Sequence, residues 1–362
     1  MTIQSLNSPA MRRGIILGKM LKRAMPVISL GTVGINDDFQ QNQGETVKYR
    51  RVLPRGATAT QYNRFFQDLT AVDRTQSYVT SHLASEGVTP TAETVSVQDI
   101  SATVVQYAVL YSYSDKMYVL GEDEFPAEMI KLTGERQGLV MEMALFGVLK
   151  ACTNQFYGGT GSTRATVNGT ISLTGLRKIA KSLNANHATT ISRMLKRGKA
   201  GLYATAPVGR CFPVWVSTDL MPDLRELPGF IPVEAYGAGD NFAVDNEVGK
   251  CEEFRFIASP ELVAIQDSGF AVAGAGAGPV LQSLSGTNAD VYQIIVGSED
   301  AWGHIGVNKD SMEVTSMSPK DKDKNDPLGQ RGYVGCKFYY HAVILNNLQM
   351  AVYEVATRAL TD

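Results

Sequence analysis

At 362 residues the chain can bury a large core and is expected to divide into two or more domains. Its 44% apolar and 19% charged content exclude a disordered chain, and a formal net charge of −2 excludes one that is basic throughout. The charge is uneven, because no acid precedes Asp37 while Arg12, Arg13, Lys19, Lys22 and Arg23 leave the first 36 residues at a formal +5.

Residues 1–35 read as an arm. Met11 to Met25 mixes basic and apolar residues with loose amphipathicity, and Pro26, Gly31 and Gly34 then interrupt it. It reads either as a solvated terminal helix or as an arm that lies on a neighbouring subunit or an anionic partner such as nucleic acid.

Residues 36–113 predict long strands separated by open loops. G-E-T-V-K-Y-R-R-V at Gly44 to Val52 is polar with scattered β-formers, and L-P-R-G at Leu53 to Gly56 is a turn signal. After a polar span, Thr94 to Tyr113 is rich in β-branched and aromatic residues, with Val105, Tyr107, Val109, Tyr111 and Tyr113 alternating at period two. So much strand signal with so little apolar content upstream predicts a projecting hairpin. Such a hairpin is marginal alone and makes sense if a neighbour covers it.

Gly121 to Tyr157 predicts one long helix over about 126–151. Pro126 suits a first helical position, and Glu122, Asp123 and Glu124 favour the positive end of the helix dipole. Met129, Leu132, Leu139, Met143 and Phe146 predict an apolar stripe, with Glu128, Lys131, Glu135 and Glu142 on another face. From Leu139 to Leu149 only Glu142 and Gly147 interrupt the apolar run, so that half is expected to be the more buried.

Y-G-G-T-G-S at Tyr157 to Ser162 lacks the ending of a phosphate-binding loop and reads as a connection. Leu176, Ile179, Ala180 and Leu183 have helical spacing. The basic cluster Arg193, Lys196, Arg197 and Lys199 reads as a solvated face, with a nucleic-acid or subunit contact as the alternative. Phe212 to Asp219 is a buried-strand pattern, and Met221 to Leu227 predicts a short helix with Pro222 near its start. Glu247 to Ser259 reads as a turn into a strand, and Gly274 to Pro279 as a small-residue linker. Val291 to Gly297, Lys337 to Leu345 and Leu348 to Val355 predict strands, and Asp321 to Asp326 an exposed charged loop.

No constellation for catalysis emerges. Cys152, Cys211, Cys251 and Cys336 are widely spaced and read as buried free thiols, without the spacing of a zinc site. The four histidines are isolated from one another, and no HExxH, GxSxG or strand-borne GxGxxG is present. No apolar run reaches the roughly 18 residues of a membrane span. The expectation is a protein that is not an enzyme, with no cofactor, no metal and no membrane partner.

Six stretches carry a resemblance, in order through nearly the whole chain from about residue 30. They are G-E-T-V-K-Y-R-R at Gly44 to Arg51, the long helix with M-E-M-A-L-F, F-P-V-W-V-S-T-D-L-M-P-D-L-R, E-V-G-K-C-E-E-F-R-F-I-A-S, D-V-Y-Q-I-I-V-G-S-E-D-A-W-G and D-P-L-G-Q-R-G-Y-V-G-C-K. Together they resemble the major capsid proteins of tailed bacteriophages, and among them the family of the coliphage that packages its own virion RNA polymerase. Cys336 departs from the tryptophan frequent in that family, which bears on packing rather than function, and the stretch from His187 to Gly209 matches less well.

The resemblance implies an α+β chain with the Hong Kong 97-type capsid fold. Its parts would be an N-terminal arm (1–35), an extended β-hairpin loop (36–113), a peripheral domain with a long spine helix (114–169 and 286–362) and an axial domain (170–285). It implies pentamers and hexamers closing an icosahedral shell around double-stranded phage DNA, assembled in the host bacterial cytoplasm. Implied partners are other copies of the chain, a portal, a decoration protein and, because no long acidic or helical segment precedes the arm, a separate scaffolding protein. Arg12, Arg13, Lys19, Lys22 and Arg23 become candidate lumen, DNA or subunit contacts. Lys48, Arg50, Arg51, Arg55, Glu128, Lys131 and Glu135 become candidate inter-subunit contacts. The alternative is an encapsulin-like nanocompartment shell with the same fold around a protein cargo.

Overall fold

The computed structural model describes residues 28–39, 44–53, 83–89, 96–120, 125–197, 203–236, 246–272, 280–299, 301–307, 312–322 and 326–360, and the architecture below is that of these residues. A 3₁₀ turn at Leu30–Thr32 leads into β1 (Ile35–Phe39). β2 (Thr46–Leu53) and β3 (Ser96–Thr103) pair antiparallel as a two-stranded sheet. After Val104 the chain continues as β4 (Val105–Ser114), then α1 (Asp115–Leu120) and α2 (Phe125–Leu149).

The second half alternates strands with short helices. β5 (Gln155–Tyr157) precedes α3 (Leu173–Ala185), whose cap Ser172 accepts the Gly175 amide at 3.1 Å. β6 (Ile191–Arg197) and β7 (Tyr203–Ser217) form a hairpin, and α4 (Met221–Arg225) starts with Pro222 in its first turn. β8 (Ile231–Pro232), β9 (Glu247–Cys251) and β10 (Phe254–Ser259) follow. The stretch read from sequence as a turn into one strand is thus a β9–β10 hairpin, turned at Glu252 with φ +51°. β11 (Val291–Val296), β12 (Trp302–Val307), β13 (Met312–Met317), β14 (Arg331–Ile344) and β15 (Ala351–Ala356) complete the order.

A five-stranded sheet is organised on β14. β4 pairs with residues 331–340 along one side, while β12 and β13 follow end to end along the other, and β1 joins β12 in parallel. An eight-stranded sheet has the order β5-β15-β11-β7-β10-β9-β8, with β6 also paired to β7.

The eight-stranded sheet is covered on both faces, so β10, β11 and β15 are buried at every position and read as continuous apolar runs rather than alternating ones. On one face Leu176, Ile179 and Leu183 of α3 pack against Phe212, Val214, Phe256, Ile294 and Tyr353. On the other, Trp215, Ile257, Ile295 and Val352 meet Leu145, Phe146 and Leu149 of α2 and Phe338 and Tyr340 of β14. Each such aliphatic side chain contributes on the order of 1.5–3 kcal/mol by burial.

The face that α2 buries differs from the stripe expected from its sequence. Leu132 and Met143 are 41% and 37% exposed, while Thr133, Gln137 and Glu142 are buried with Leu145 and Leu149. Two of the polar ones bond locally or across to β14: the Thr133 hydroxyl donates to the Met129 carbonyl at 2.7 Å, and Gln137 accepts from the Cys336 thiol at 3.6 Å. Two sheets meet around this helix, so its buried face is set by what surrounds it rather than by where its leucines fall.

Candidate functional site at the root of the N-terminal segment

Glu142 is the one acid inside the apolar half of α2, and it is 1% exposed. Its Oε1 accepts the Ser29 amide at 3.2 Å, the Ser29 hydroxyl at 2.6 Å and the Leu30 amide at 2.9 Å. Its Oε2 is buried with no hydrogen-bond partner among the described residues. Burial pushes the carboxyl above its usual range, against the opposing pull of the bonds from Leu30, Ser29 and Gly31.

Three further side chains grip the same short segment. Trp215 of β7 donates from Nε1 to the Ser29 carbonyl at 3.1 Å, and Trp302 of β12 donates to the Val33 carbonyl at 3.0 Å. The two indoles meet edge to face with centroids 5.5 Å apart. His304 Nε2 lies 2.9 Å from the same Val33 carbonyl, which can only accept, so Nε2 carries a proton. In the neutral ring Nδ1 then accepts the Tyr340 hydroxyl, 3.0 Å away. Burial lowers the His304 pKa, and burial, followed by the charge of Glu142, raises that of Tyr340.

Gly34 closes the segment with φ +114°, and a Cβ there would stand 2.7 Å from Trp302 Nε1 and 2.9 Å from His304 Nε2. Residues 29–34 therefore form a peg, with Leu30 fully buried, held by side chains from α2, β7 and β12. The sequence carried one signal for it, a lone acid inside an apolar helical run.

The residues expected from sequence to make contacts lie elsewhere. Arg12, Arg13, Lys19, Lys22, Arg23 and Arg55 lie outside the described residues, and only the backbone of Arg51 is described, opposite Gln98. On the β2–β3 hairpin Lys48 is exposed, and Arg50 pairs with Asp99 at 3.0 Å, with the two side chains 69% and 37% exposed. The Arg50 hydrogen bond is the main cause holding the Asp99 carboxyl below its usual range. On α2, Glu128 and Lys131 pair at 2.6 Å on the open surface, and Glu135 is half-buried. The structure thus joins Arg50 of β2 to Asp99 of β3 across the hairpin and Glu128 to Lys131 along α2.

Among the described residues no group of three or more His, Cys, Asp or Glu could hold a metal ion, and no helix is long and apolar enough to cross a membrane. All four cysteines are buried thiols outside any disulfide, and burial pushes the thiols of Cys152 and Cys336 up to about 11.

No protein-family model matches the sequence. The chain is similar to the major capsid protein of Pseudomonas phage KPP21, with 24% identity over 216 residues, which is 56% of this chain and 53% of that protein. The match thus spans about half the length of that curated relative. Among solved structures the chain is similar to the capsid of Ralstonia phage GP4, at TM-score 0.58 and 11% identity over 90% of this chain and 88% of that one. It is similar to the head structure of Helicobacter pylori bacteriophage KHP40, at TM-score 0.56 and 9% identity over 98% and 93%. It is also similar to the capsid structure of Cyanophage P-SCSP1u, at TM-score 0.54 and 10% identity over 91% and 88%. At these identities the likeness shows the fold, a mixed α/β fold found in phage capsid structures.

Proposed function

We propose that this chain, which has the fold of phage capsid structures, is the major capsid protein of a tailed bacteriophage. The carrying observation is that two sheets around one 25-residue helix match phage capsid structures over about nine tenths of both chains. The curated relative supports the same reading from sequence.

The finer assignments are part of the proposal. The fold is taken as Hong Kong 97-type, within the family of the coliphage that packages its own virion RNA polymerase. Residues 1–35 would be the arm and 36–113 the extended loop, with β1 and β4 as its roots in the five-stranded sheet. Residues 114–169 and 286–362 would be the peripheral domain with α2 as spine, and 170–285 the axial domain. Copies would close as pentamers and hexamers around double-stranded DNA in the bacterial cytoplasm, with a scaffolding protein, a portal and a decoration protein as separate partners. Standard interfaces bury about 1,600 Å² in total, and holding several neighbours at once makes a shell far stronger than one contact. Lys48, Arg50, Arg51 and Arg55 on the loop, and Glu128, Lys131 and Glu135 on the spine, would face neighbouring copies.

Negative-stain electron microscopy of the expressed protein tests the reading: shells or capsomers are expected, and a monomer under assembly conditions overturns it. DNA inside particles supports a phage head, while a protein cargo supports an encapsulin-like shell. Charge reversal at Arg12, Arg13 and Lys22 is expected to reduce DNA retention in a salt-dependent way if the +5 arm lines the lumen. Unchanged retention at both low and high salt removes that role.

A further inference from the structure

Among the described residues, every edge strand but one carries a feature that discourages pairing with another chain. β1 has Asp37 and Asp38, and β13 has Glu313. The hairpin carries Lys48, Arg50 and Arg51 on β2 and Asp99 on β3. In the eight-stranded sheet β6 carries Arg193, Lys196 and Arg197, β5 is three residues long, and β8 is two residues long and includes Pro232. Charge, shortness and proline are the ordinary guards of a sheet edge.

β4 has none of them. V-Q-Y-A-V-L-Y-S-Y-S is ten residues without a charge, a proline or a glycine. It pairs with β14 in unbroken register from Val105 opposite Tyr340 to Ser114 opposite Arg331, and with no other strand among the described residues. Successive residues of a strand turn their N–H and C=O to opposite edges, so about half of the backbone groups of β4 point away from β14. Tyr107, Val109 and Tyr111 are half-buried on one face. On the other, Leu110 lies over Gly335 and is 65% exposed.

We propose that the open edge of β4 is a docking site for β4 of a second copy of this chain, paired antiparallel about a two-fold axis. The two five-stranded sheets then run on as one. Charge selects this partner: β4 against β4 brings no charged side chain into the ladder, whereas β1, β2, β3, β6 and β13 would each bring at least one. When both sheets keep α2 on the same side, directly opposite residues share a face, so a residue at the centre meets its own copy. Centring on Leu110 covers that side chain and sets Tyr107 opposite Tyr113 and Val109 opposite Tyr111, aromatic and β-branched pairs that favour a sheet. This contact rests on the reading of the chain as a self-assembling shell protein and names the edge that joins two copies.

The test is cysteine cross-linking in the full-length protein, where all four native thiols are buried. Oxidation of Leu110→Cys with copper phenanthroline is expected to give a covalent dimer, since directly opposite residues stand about 4.5–5.5 Å apart at Cα, within disulfide reach. Ser112→Cys should give none, because Ser112 lies opposite Ala108 and its two copies stand about 13 Å apart along the strand. No dimer from Leu110→Cys, or an equal yield from Ser112→Cys, overturns the proposal. Leu110→Lys and Leu110→Glu, at a site already in solvent, should each weaken association about tenfold or more by setting like charges opposite each other, and mixing the two should restore it. A mixture no better than either variant counts against the contact. Wild-type shells without the Leu110→Cys cross-link remove this contact and leave the capsid reading standing, and the cross-link without shells does the reverse.

Discussion

The β2–β3 hairpin and the eight-stranded sheet are both built from strands, yet they are held by different forces. In the hairpin the backbone ladder runs in register from Thr46 opposite Thr103 to Leu53 opposite Ser96, while Lys48, Arg50, Val97 and Asp99 are exposed. In β10, β11 and β15 no residue reaches solvent appreciably. A ladder without a core is marginal in water, whereas a sheet covered on both faces draws its stability from apolar burial. The difference separates a body stable on its own from an extension that gains by lying against something else.

The largest break in that comparison comes from the body. Trp302→Ala removes a fully buried indole, its packing on Trp215 and its bond to Val33, and is expected to cost about 3–5 kcal/mol in urea denaturation. A loss below 1 kcal/mol would mean that the two sheets and α2 do not share one core. Gly34→Ala should cost about 1–3 kcal/mol, because the site combines positive φ with contact from Trp302 and His304. Limited proteolysis should then cut near residue 34 faster than in the wild type, while the rest of the chain resists.

On the hairpin the expectation reverses. Arg50→Ala removes an exposed ion pair and should leave the denaturation midpoint of the unassembled chain unchanged. If the hairpin lies on a neighbour, the same variant should instead alter assembly yield or its salt dependence. The smallest signal is expected from the thiols. With Cys152 and Cys336 buried and pushed up to about 11, disulfide-exchange reagents at mild alkaline pH should label neither in the native state and both on unfolding. Fast native labelling would show that the core opens as readily as the hairpin.

Much of the element list was legible from sequence because it rests on local chemistry. Pro126 and Pro222 mark helix starts that occur at Phe125 and Met221, and the spacing of Leu176, Ile179 and Leu183 places all three in the core. Period-two alternation is the burial pattern of β4 from Tyr107 to Tyr113, in which Tyr113 is buried and Leu110 faces out, while Val105 at the strand's start is exposed against expectation. Arg50 could be named as exposed from its strand, but its partner Asp99 lies 49 positions away, and only the register joins them.

By itself the sequence determined where α2, α3, α4 and strands such as β4, β11 and β15 form, because caps, prolines and side-chain periodicity act within a few residues. β6, β12 and β13 carried no such reading. Only the tertiary structure decided which face of α2 is buried, since two sheets approach it and bury Glu142 while leaving Leu132 in solvent. It also decided that residues 29–34 are a peg rather than a free arm. Glu142 lies 112 to 113 positions from the residues it binds, and Trp302 and His304 lie 269 and 271 positions from Val33. Pairings at that range are set by how layers stack, and no local pattern records them.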